Sequence, residues 1–225
     1  MSNFVLMLTR DDVTVTDAHA VLELAIAAGV EHIGFKDVGR PVEEMAELVD
    51  TIHAAGRRAH LEVVSLTEQE ERASLGLGRE LGFDYVLGGT RWRLGADLLA
   101  DTGIRYFPYV GTVIGHPGTL DGTAEEILAD IEAMRGAVAG VNLLAYRHVS
   151  GGGDALVREV CAASPLPVLV AGAVASVERI RLVSDAGAWG FTIGAAALDR
   201  RVVPGANVST QLRTVLDAVG RAGAR

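Results

Sequence analysis

Lysine is almost absent from this chain: the sequence holds a single one, Lys36, against nineteen arginines. It lies in the stretch "HIGFKDVG", residues 32–39. Arginine supplies a static positive charge more firmly, whereas a lysine amine can lose its proton and act as a base or nucleophile. A lone lysine in an arginine-rich chain is therefore our first candidate for a functional residue.

Cysteine, basic charge and long apolar runs are also scarce. Cys161 has no second cysteine to pair with, which excludes an internal disulfide and fits a reducing compartment. A net charge of −9 and a pI near 5.1 argue against nucleic acid or an anionic membrane as a partner. No apolar run reaches the roughly 18 residues that a membrane span needs. The start, "MSNFVLMLTRDD", lacks a signal peptide's basic region, so we expect a cytoplasmic protein.

Apolar residues are abundant. They make up 49% of 225 residues, and the mean hydropathy is +0.29, which is enough for one large core. Short apolar runs alternate with longer helical patterns, which is typical of a parallel sheet built from βα units. The predicted strands are 4–8, 32–35, 59–64, 84–88, 104–110, 140–146, 167–172 and 190–194. The predicted helices are 17–28, 42–55, 68–81, 93–101, 124–135, 153–163, 176–186 and 207–221.

Helix start and stop signals support this division. Thr67 with Glu70, and Thr123 with Glu126, have the spacing of a capping box at a helix start. Glycines that follow helical patterns, as left-handed C-caps do, are Gly29, Gly56, Gly82, Gly103 and Gly187. Eight units of about 28 residues predict a single (β/α)8 TIM barrel domain over residues 1–225. The main alternative, an open flavodoxin-like or Rossmann sheet, would more often show five or six strands.

Strand alternation places candidate catalytic residues in the mouth of such a barrel, where strands end and active sites lie. His32, Gly34 and Lys36 share one face of strand 2, whose other face is apolar and should meet the helices. In strand 3 the same argument turns His60 and Glu62 inward. We predict Lys36 and Glu62 as an acid/base pair, the alternative being a structural ion pair; for His60 we favour a core residue.

Other charged groups follow predicted strands. Asp37 adjoins Lys36, and we predict that it orients the lysine. Arg10, Asp11 and Asp12 follow strand 1 and could reach the site, with Arg10 as a candidate substrate ligand; the alternative is an ordinary solvated loop. Arg147 follows strand 6 at "AYRHVSGGG", and because an arginine suits phosphate geometry it is also a candidate substrate ligand. His116 is the titratable ring of the long segment 110–123, which has the length of a lid or binding loop.

Two glycine loops near the C-terminus predict an anion site. Strand 7 ends at Gly172 and Ala173, and strand 8 at Gly194 and Ala195, so a ligand can approach the backbone of both loops closely. Phosphate-binding barrels place their phosphate at these loops, here near 172–176 and 194–198. The alternative is that the small residues only permit tight turns.

The stretch "VLVAGAVASVERIRLVSDAGAWGFTIGAAAL", residues 168–198, resembles the ribulose-phosphate-binding barrel superfamily. That group includes phosphoribosyl isomerases of histidine and tryptophan biosynthesis, hexulose-phosphate synthase, ketogulonate-phosphate decarboxylase and sugar-phosphate epimerases. The resemblance implies that Gly172, Ala173, Gly194 and Ala195 bind phosphate through backbone N–H groups. Barrels of this type are often dimers, so a homodimer is an expected assembly.

This chain departs from the family's catalytic patterns. Histidine-pathway isomerases carry aspartates at the ends of strands 1 and 5, where this sequence has Thr9 with Arg10, and Tyr109. The D-x-K-x-x-D pattern of the synthase and decarboxylase branch is absent from "HLEVVS" on strand 3. The reactions of those relatives therefore do not transfer as they stand.

Three functions remain open at this stage. Our first hypothesis is an isomerase or epimerase that moves a proton next to a carbonyl of a small phosphorylated, sugar-like substrate. A Schiff-base lyase or aldolase acting through Lys36 is the second. A non-catalytic binder of a phosphorylated metabolite is the third. We predict no cofactor, and no metal, because no further His or Cys completes a ligand set with His60, Glu62 and Asp37.

Overall fold

A computed structural model describes residues 2–222. Its central feature is a parallel eight-stranded sheet, whose neighbours run in the order β6-β7-β8-β1-β2-β3-β4-β5. The strands are β1 Asn3–Met7, β2 His32–Lys36, β3 Arg58–Val63, β4 Tyr85–Gly88, β5 Arg105–Phe107, β6 Val141–Leu143, β7 Val168–Val170 and β8 Gly190–Ile193. A parallel bridge between Tyr109 and Asn142 joins the two edges. The sheet is thus a closed barrel, and the predicted (β/α)8 fold is confirmed.

Helices follow each strand and cover the outside of the barrel. They are α1 Ala18–Ala28, α2 Val42–Ala54, α3 Glu68–Glu80, α4 Trp92–Leu99, α5 Ala124–Met134, α6 Gly153–Ala163, α7 Val177–Asp185, the short α8 Ala195–Leu198 and α9 Val208–Ala222. Both predicted capping boxes are present, at Thr67 and at Thr123. The five predicted glycines all have φ between +69° and +83°, the left-handed conformation that glycine adopts without steric cost. No helix within residues 2–222 is long and apolar enough to cross a membrane.

Side chains on the two faces of each strand pack in two different hydrophobic cores. Ile33 and Phe35 of β2, with Leu61 and Val63 of β3, pack in the large layer between barrel and helices. A smaller cluster that includes Met7 fills the barrel interior. The period-two alternation therefore assigned these strand faces correctly, and it leaves the inward positions at the strand ends for the site.

Two short antiparallel hairpins lie on the C-terminal face of the barrel, and the sequence analysis predicted neither of them. The first pairs Thr9–Arg10 with Val13–Thr14 directly after β1. The second pairs Thr112–Ile114 with Thr119–Asp121 and forms most of the segment 110–123. Strands of two or three residues are too short for periodicity to indicate them.

Two helical glycines provide a matched test of the packing. Gly76 of α3 is exposed, and a Cβ there would meet no atom within 4 Å, whereas a Cβ at Gly95 of α4 would lie 2.3 Å from Cε1 of Tyr106. We expect Gly76→Ala to raise the free energy of unfolding by about 0.5 to 1 kcal/mol, because alanine favours the helix. Gly95→Ala should lower it by about 1 to 3 kcal/mol through overpacking. Urea denaturation of both variants measures the two changes, and an unaffected Gly95→Ala would contradict the contact between α4 and Tyr106.

Candidate active site at the barrel mouth

A cavity of about 530 Å³ opens at the C-terminal end of the barrel. Its walls come from the ends of β1, β2 and β3, from residues after β5, β6, β7 and β8, and from the second hairpin. Nine of the ten residues predicted for the site line it: Arg10, Lys36, Glu62, His116, Arg147, Gly172, Ala173, Gly194 and Ala195. The structure thus brings these residues together, while their roles stay predictions.

Lys36 lies at the centre of a buried charge network. Its side chain is only 5% exposed, and its Nζ donates a hydrogen bond to Oδ1 of Asp12 and lies 3.4 Å from Oε2 of Glu62. The register of β2 and β3 pairs Lys36 directly with Glu62, so the second contact follows from the sheet itself. Nη1 of Arg147 lies 3.4 Å from Oδ2 of Asp12. One ammonium group is thus flanked by two carboxylates.

Asp12 reaches Lys36 because of the turn on which it lies. Asp11 and Asp12 form the two-residue loop of the first hairpin, with φ of 48° and 60°. Asp tolerates this left-handed conformation better than most residues, and a two-residue hairpin turn requires it. Thr14 of the same hairpin accepts a hydrogen bond from the backbone N–H of Lys36 at 3.0 Å, and its hydroxyl donates to the Lys36 carbonyl at 2.8 Å. The hairpin therefore fixes the end of β2 and the carboxylate beside it.

The carboxyl group of Asp12 is held in its charged form. Burial acts to raise its pKa, but the hydrogen bond and positive charge of Lys36, with the charge of Arg147, outweigh burial and lower the pKa. On the other side of Lys36, the hydroxyl of Tyr109 donates to Oε1 of Glu62 at 2.9 Å. Burial, and then the neighbouring Glu62 charge, raise the pKa of Tyr109 well above its usual value, so this hydroxyl keeps its proton.

Asp37 lies elsewhere, so the prediction that it orients Lys36 requires correction. Its carboxylate accepts a hydrogen bond from Ser74 of α3, and it does not line the cavity. Residue 37 follows Lys36 directly, so the alternation that turns Lys36 inward turns Asp37 towards the helix layer. The orienting contact comes from Asp12 instead. Burial raises the pKa of Asp37 despite the Ser74 hydrogen bond.

The absence of a side chain at Gly172 leaves room for the side chain of Arg147. A Cβ at Gly172 would lie 2.7 Å from Nε of Arg147, so glycine leaves the room in which the guanidinium lies. Gly172 and Ala173 have φ of 74° and 57°, both left-handed. This conformation costs an alanine roughly 1 to 2 kcal/mol. Strain of this kind is typical of ligand-binding loops.

The loop after β7 is held by Arg179, a cation that sequence reasoning did not select. Its Nη1 donates to the carbonyl of Ala173 at 2.8 Å, and its guanidinium lies 4.4 Å from the ring centroid of Tyr146. Arg179 comes three residues after Ser176, which caps α7. That cap position was the available signal, because the first turn of a helix that follows a barrel strand begins at the mouth.

The loop after β8 has a packing requirement of its own. A Cβ at Gly194 would lie 2.7 Å from Oγ1 of Thr9, so the close approach of β8 to β1 by itself calls for glycine. Arg10 donates to Oδ1 of Asp199 at 2.7 Å and to the Leu198 carbonyl at 3.1 Å. Arg10 therefore lines the cavity and also ties the first hairpin to the end of α8.

The charge of the cavity is opposite to that of the whole chain. Five cationic side chains line it: Arg10, Lys36, Arg147, Arg179 and Arg201. Three carboxylates accompany them, from Asp11, Asp12 and Glu62. A chain of net charge −9 thus concentrates an excess of positive charge at one site, which favours an anionic ligand. Among residues 2–222, no group of three or more His, Cys, Asp or Glu side chains is arranged to hold a metal ion.

Comparison with known proteins identifies the fold. No protein-family model matches the chain, and no curated protein matches it in sequence. Among solved structures, thiamine phosphate pyrophosphorylase from Pyrococcus furiosus is similar, with a TM-score of 0.68 and 12% identity over 98% of this chain and 96% of that one. Orotidine 5'-phosphate decarboxylase from Pyrococcus horikoshii OT3 gives a TM-score of 0.68 and 13% identity, covering 96% and 99%.

The tryptophan synthase alpha chain from Legionella pneumophila subsp. pneumophila is also similar, with a TM-score of 0.66 and 11% identity over 100% of this chain and 94% of that one. At these identities the similarity extends to the fold and not to the reaction, because one barrel fold supports many different reactions. These similarities therefore show the fold: the chain is a (β/α)8 barrel.

Proposed function

We propose that this protein is an isomerase or epimerase that acts on a small phosphorylated carbonyl compound by moving a proton at the carbon next to the carbonyl. The observation that carries the proposal is the buried arrangement of Lys36 between the carboxylates of Asp12 and Glu62, inside a cavity with excess positive charge. A cavity of about 530 Å³ also has the size of a small-molecule site.

The phosphate end of the substrate is assigned to the loops after β7 and β8. Arg147, Arg179 and Arg201 line this side of the cavity together with Gly172 and Gly194. Guanidinium groups bind phosphate oxygens through paired N–H donors, and glycine loops let backbone N–H groups approach. Two of the similar structures are named for phosphate compounds, thiamine phosphate and orotidine 5'-phosphate, which also supports a phosphate ester as the ligand.

The carbonyl end lies at Lys36. In the proposed step, a carboxylate of Asp12 or Glu62 takes the proton from the carbon next to the carbonyl, and the C–H electron pair moves into an enediolate. The Lys36 ammonium group hydrogen-bonds to the oxygen on which negative charge develops. Return of the proton to the former carbonyl carbon, with transfer of the hydroxyl proton to the former carbonyl oxygen, gives isomerisation. Return of a proton from the other carboxylate to the opposite face of the original carbon gives epimerisation.

A Schiff-base lyase is the second candidate, because Lys36 is a buried amine that lines the cavity. Attack on a carbonyl needs a free electron pair on the amine nitrogen, however, and Nζ of Lys36 is engaged by Asp12 and lies 3.4 Å from Oε2 of Glu62. The same geometry suits an electrostatic role in proton transfer. We therefore rank the isomerase first.

Deuterium exchange tests this function directly. The protein is incubated in D₂O with dihydroxyacetone phosphate, glyceraldehyde 3-phosphate, ribulose 5-phosphate and ribose 5-phosphate, and NMR follows exchange next to the carbonyl. We expect exchange with at least one substrate, and a loss of about 100-fold or more in Glu62→Gln, since acid/base catalysis contributes that much. Glu68→Gln is the control, because Glu68 lies exposed on α3.

Two results would contradict the proposal. A borohydride-stable mass adduct on the parent that is absent from Lys36→Arg would identify a Schiff base and favour the lyase. Binding of a phosphate compound without exchange or turnover would favour the non-catalytic binder.

A further inference from the structure

A second hollow of about 470 Å³ adjoins the cavity on the side of α3. We call it the α3 groove; its apolar walls are Val38, Val64, Leu66 and Ala73. Leu66 is 61% exposed, although it is a large apolar side chain. An exposed apolar surface next to a polar site indicates a binding surface.

The α3 groove differs from the main cavity in charge. Among the side chains that the structure describes, no lysine or arginine lines it. Of its carboxylates, Glu70 closes the capping box with Thr67, and Oδ2 of Asp37 accepts from Ser74, while the buried Oδ1 of Asp37 has no partner among the described residues. An anionic group would find no cationic partner there, whereas an apolar group would find three aliphatic side chains and Ala73. The groove therefore suits a part of a ligand that carries no charge.

The groove and the cavity share lining residues. Val64 and His116 line both of them, and they also line a small hollow of about 70 Å³ between the two. Tyr109, the partner of Glu62, lines the cavity and this small hollow. A molecule bound at Lys36 that extends past Val64 and His116 would therefore reach the groove.

We infer that the substrate carries an apolar arm, an alkyl or aryl substituent, which occupies the α3 groove while its phosphate lies at the arginine side of the cavity. This inference rests on the proposed function and deepens it. It changes the expected substrate from a fully hydroxylated sugar phosphate to a phosphorylated carbonyl compound with an apolar substituent. The two ends are recognised by different chemistry, charge at one and aliphatic contact at the other.

Two simple phosphates test the groove without knowledge of the substrate. Isothermal titration calorimetry compares ethyl phosphate with 4-phenylbutyl phosphate, which shares the anionic end and adds an apolar arm. We expect the parent to bind 4-phenylbutyl phosphate at least about tenfold more tightly, with a more negative heat-capacity change, because apolar surface is buried. Ala73→Glu should bring the ratio of the two affinities close to one, since it places a carboxylate in the groove.

Matched variants keep the test specific. Ala20→Glu adds the same charge at an exposed position of α1 and should keep the parent's ratio. Leu66→Ser should lower the ratio without adding charge. Equal affinities of the parent for both phosphates, or a ratio that Ala73→Glu leaves unchanged, would overturn the inference alone. If neither phosphate binds, the proposed phosphate site is overturned, and the inference with it.

Discussion

Replacement of Lys36 by methionine should lower the free energy of unfolding by about 3 to 5 kcal/mol at pH 7.5, the usual cost of removing one partner from a buried ion pair. The side chains of Asp12 and Glu62 are only 11% and 10% exposed, and without the lysine their negative charges face each other. Arg147 remains 3.4 Å from Asp12, but no described cation other than Lys36 contacts Glu62 within 4 Å. Urea denaturation followed by circular dichroism measures this loss.

The pH dependence identifies the cause of the loss. Lys36→Met removes the cation that lowers the pKa of Asp12, so this carboxylate takes up a proton more readily than in the parent and the deficit should shrink at pH 5. The double variant Lys36→Met with Glu62→Gln should recover much of the stability at pH 7.5, because one uncompensated charge is gone. Lys36→Arg keeps the charge and should retain most of the free energy of unfolding. An unfolding midpoint of Lys36→Met equal to that of the parent would contradict the charge network.

The fold could be predicted because each βα unit carries its own local signals. Apolar runs, capping boxes and closing glycines gave eight strands and eight helices within a few residues of their positions. Strand 5 was predicted too long: the apolar pattern continues through Pro108, but proline has no N–H for the ladder, and β5 ends at Phe107. Strand 6 was also predicted too long, since the chain leaves β6 for a 3₁₀ turn at Ala145–Arg147.

The side-chain contacts of the site were predictable only where strand geometry decides them. Alternation placed Lys36 and Glu62 inward, and the register of β2 with β3 makes them neighbours. The contact of Asp12 with Lys36 depends on a left-handed turn in the first hairpin, which no periodicity reveals. The same alternation, extended by one residue, argues against Asp37 in the mouth. Asp37 was predicted to orient Lys36 because the two residues are adjacent in sequence, and that criterion was wrong.

The second large effect that we expect is a loss of stability at acidic pH, caused by two histidines that are buried inside the barrel. Nδ1 of His32 lies 2.9 Å from Nε2 of His60, and the His60 ring stacks on Tyr85 at 4.3 Å between centroids. His60 is fully buried, and its Nδ1 has no hydrogen-bond partner in the structure. Burial, with the adjacent His32, lowers the pKa of His60 well below its usual value, and burial also lowers the pKa of His32.

A histidine with a lowered pKa in the folded state binds protons more readily when the chain unfolds. The free energy of unfolding should therefore fall as the pH drops below about 6.5, by at most about 1.4 kcal/mol per pH unit for a histidine that stays neutral in the folded protein. Between pH 7 and pH 5, before most carboxylates titrate, His60 alone should cost about 2 kcal/mol. Thermal and urea unfolding over this range give the slope.

A double leucine variant tests whether the histidine pair produces this slope. His32→Leu with His60→Leu removes both rings, and replacing both partners of a hydrogen bond by apolar groups leaves no donor or acceptor unpaired. Its stability should change little between pH 7 and pH 5, while His19→Gln, at an exposed position of α1, should follow the parent. Asp37, whose raised pKa acts in the opposite direction, is present in all three proteins and does not affect their comparison. Equal slopes in the parent and the double variant would exclude the pair, because no other change separates the two proteins.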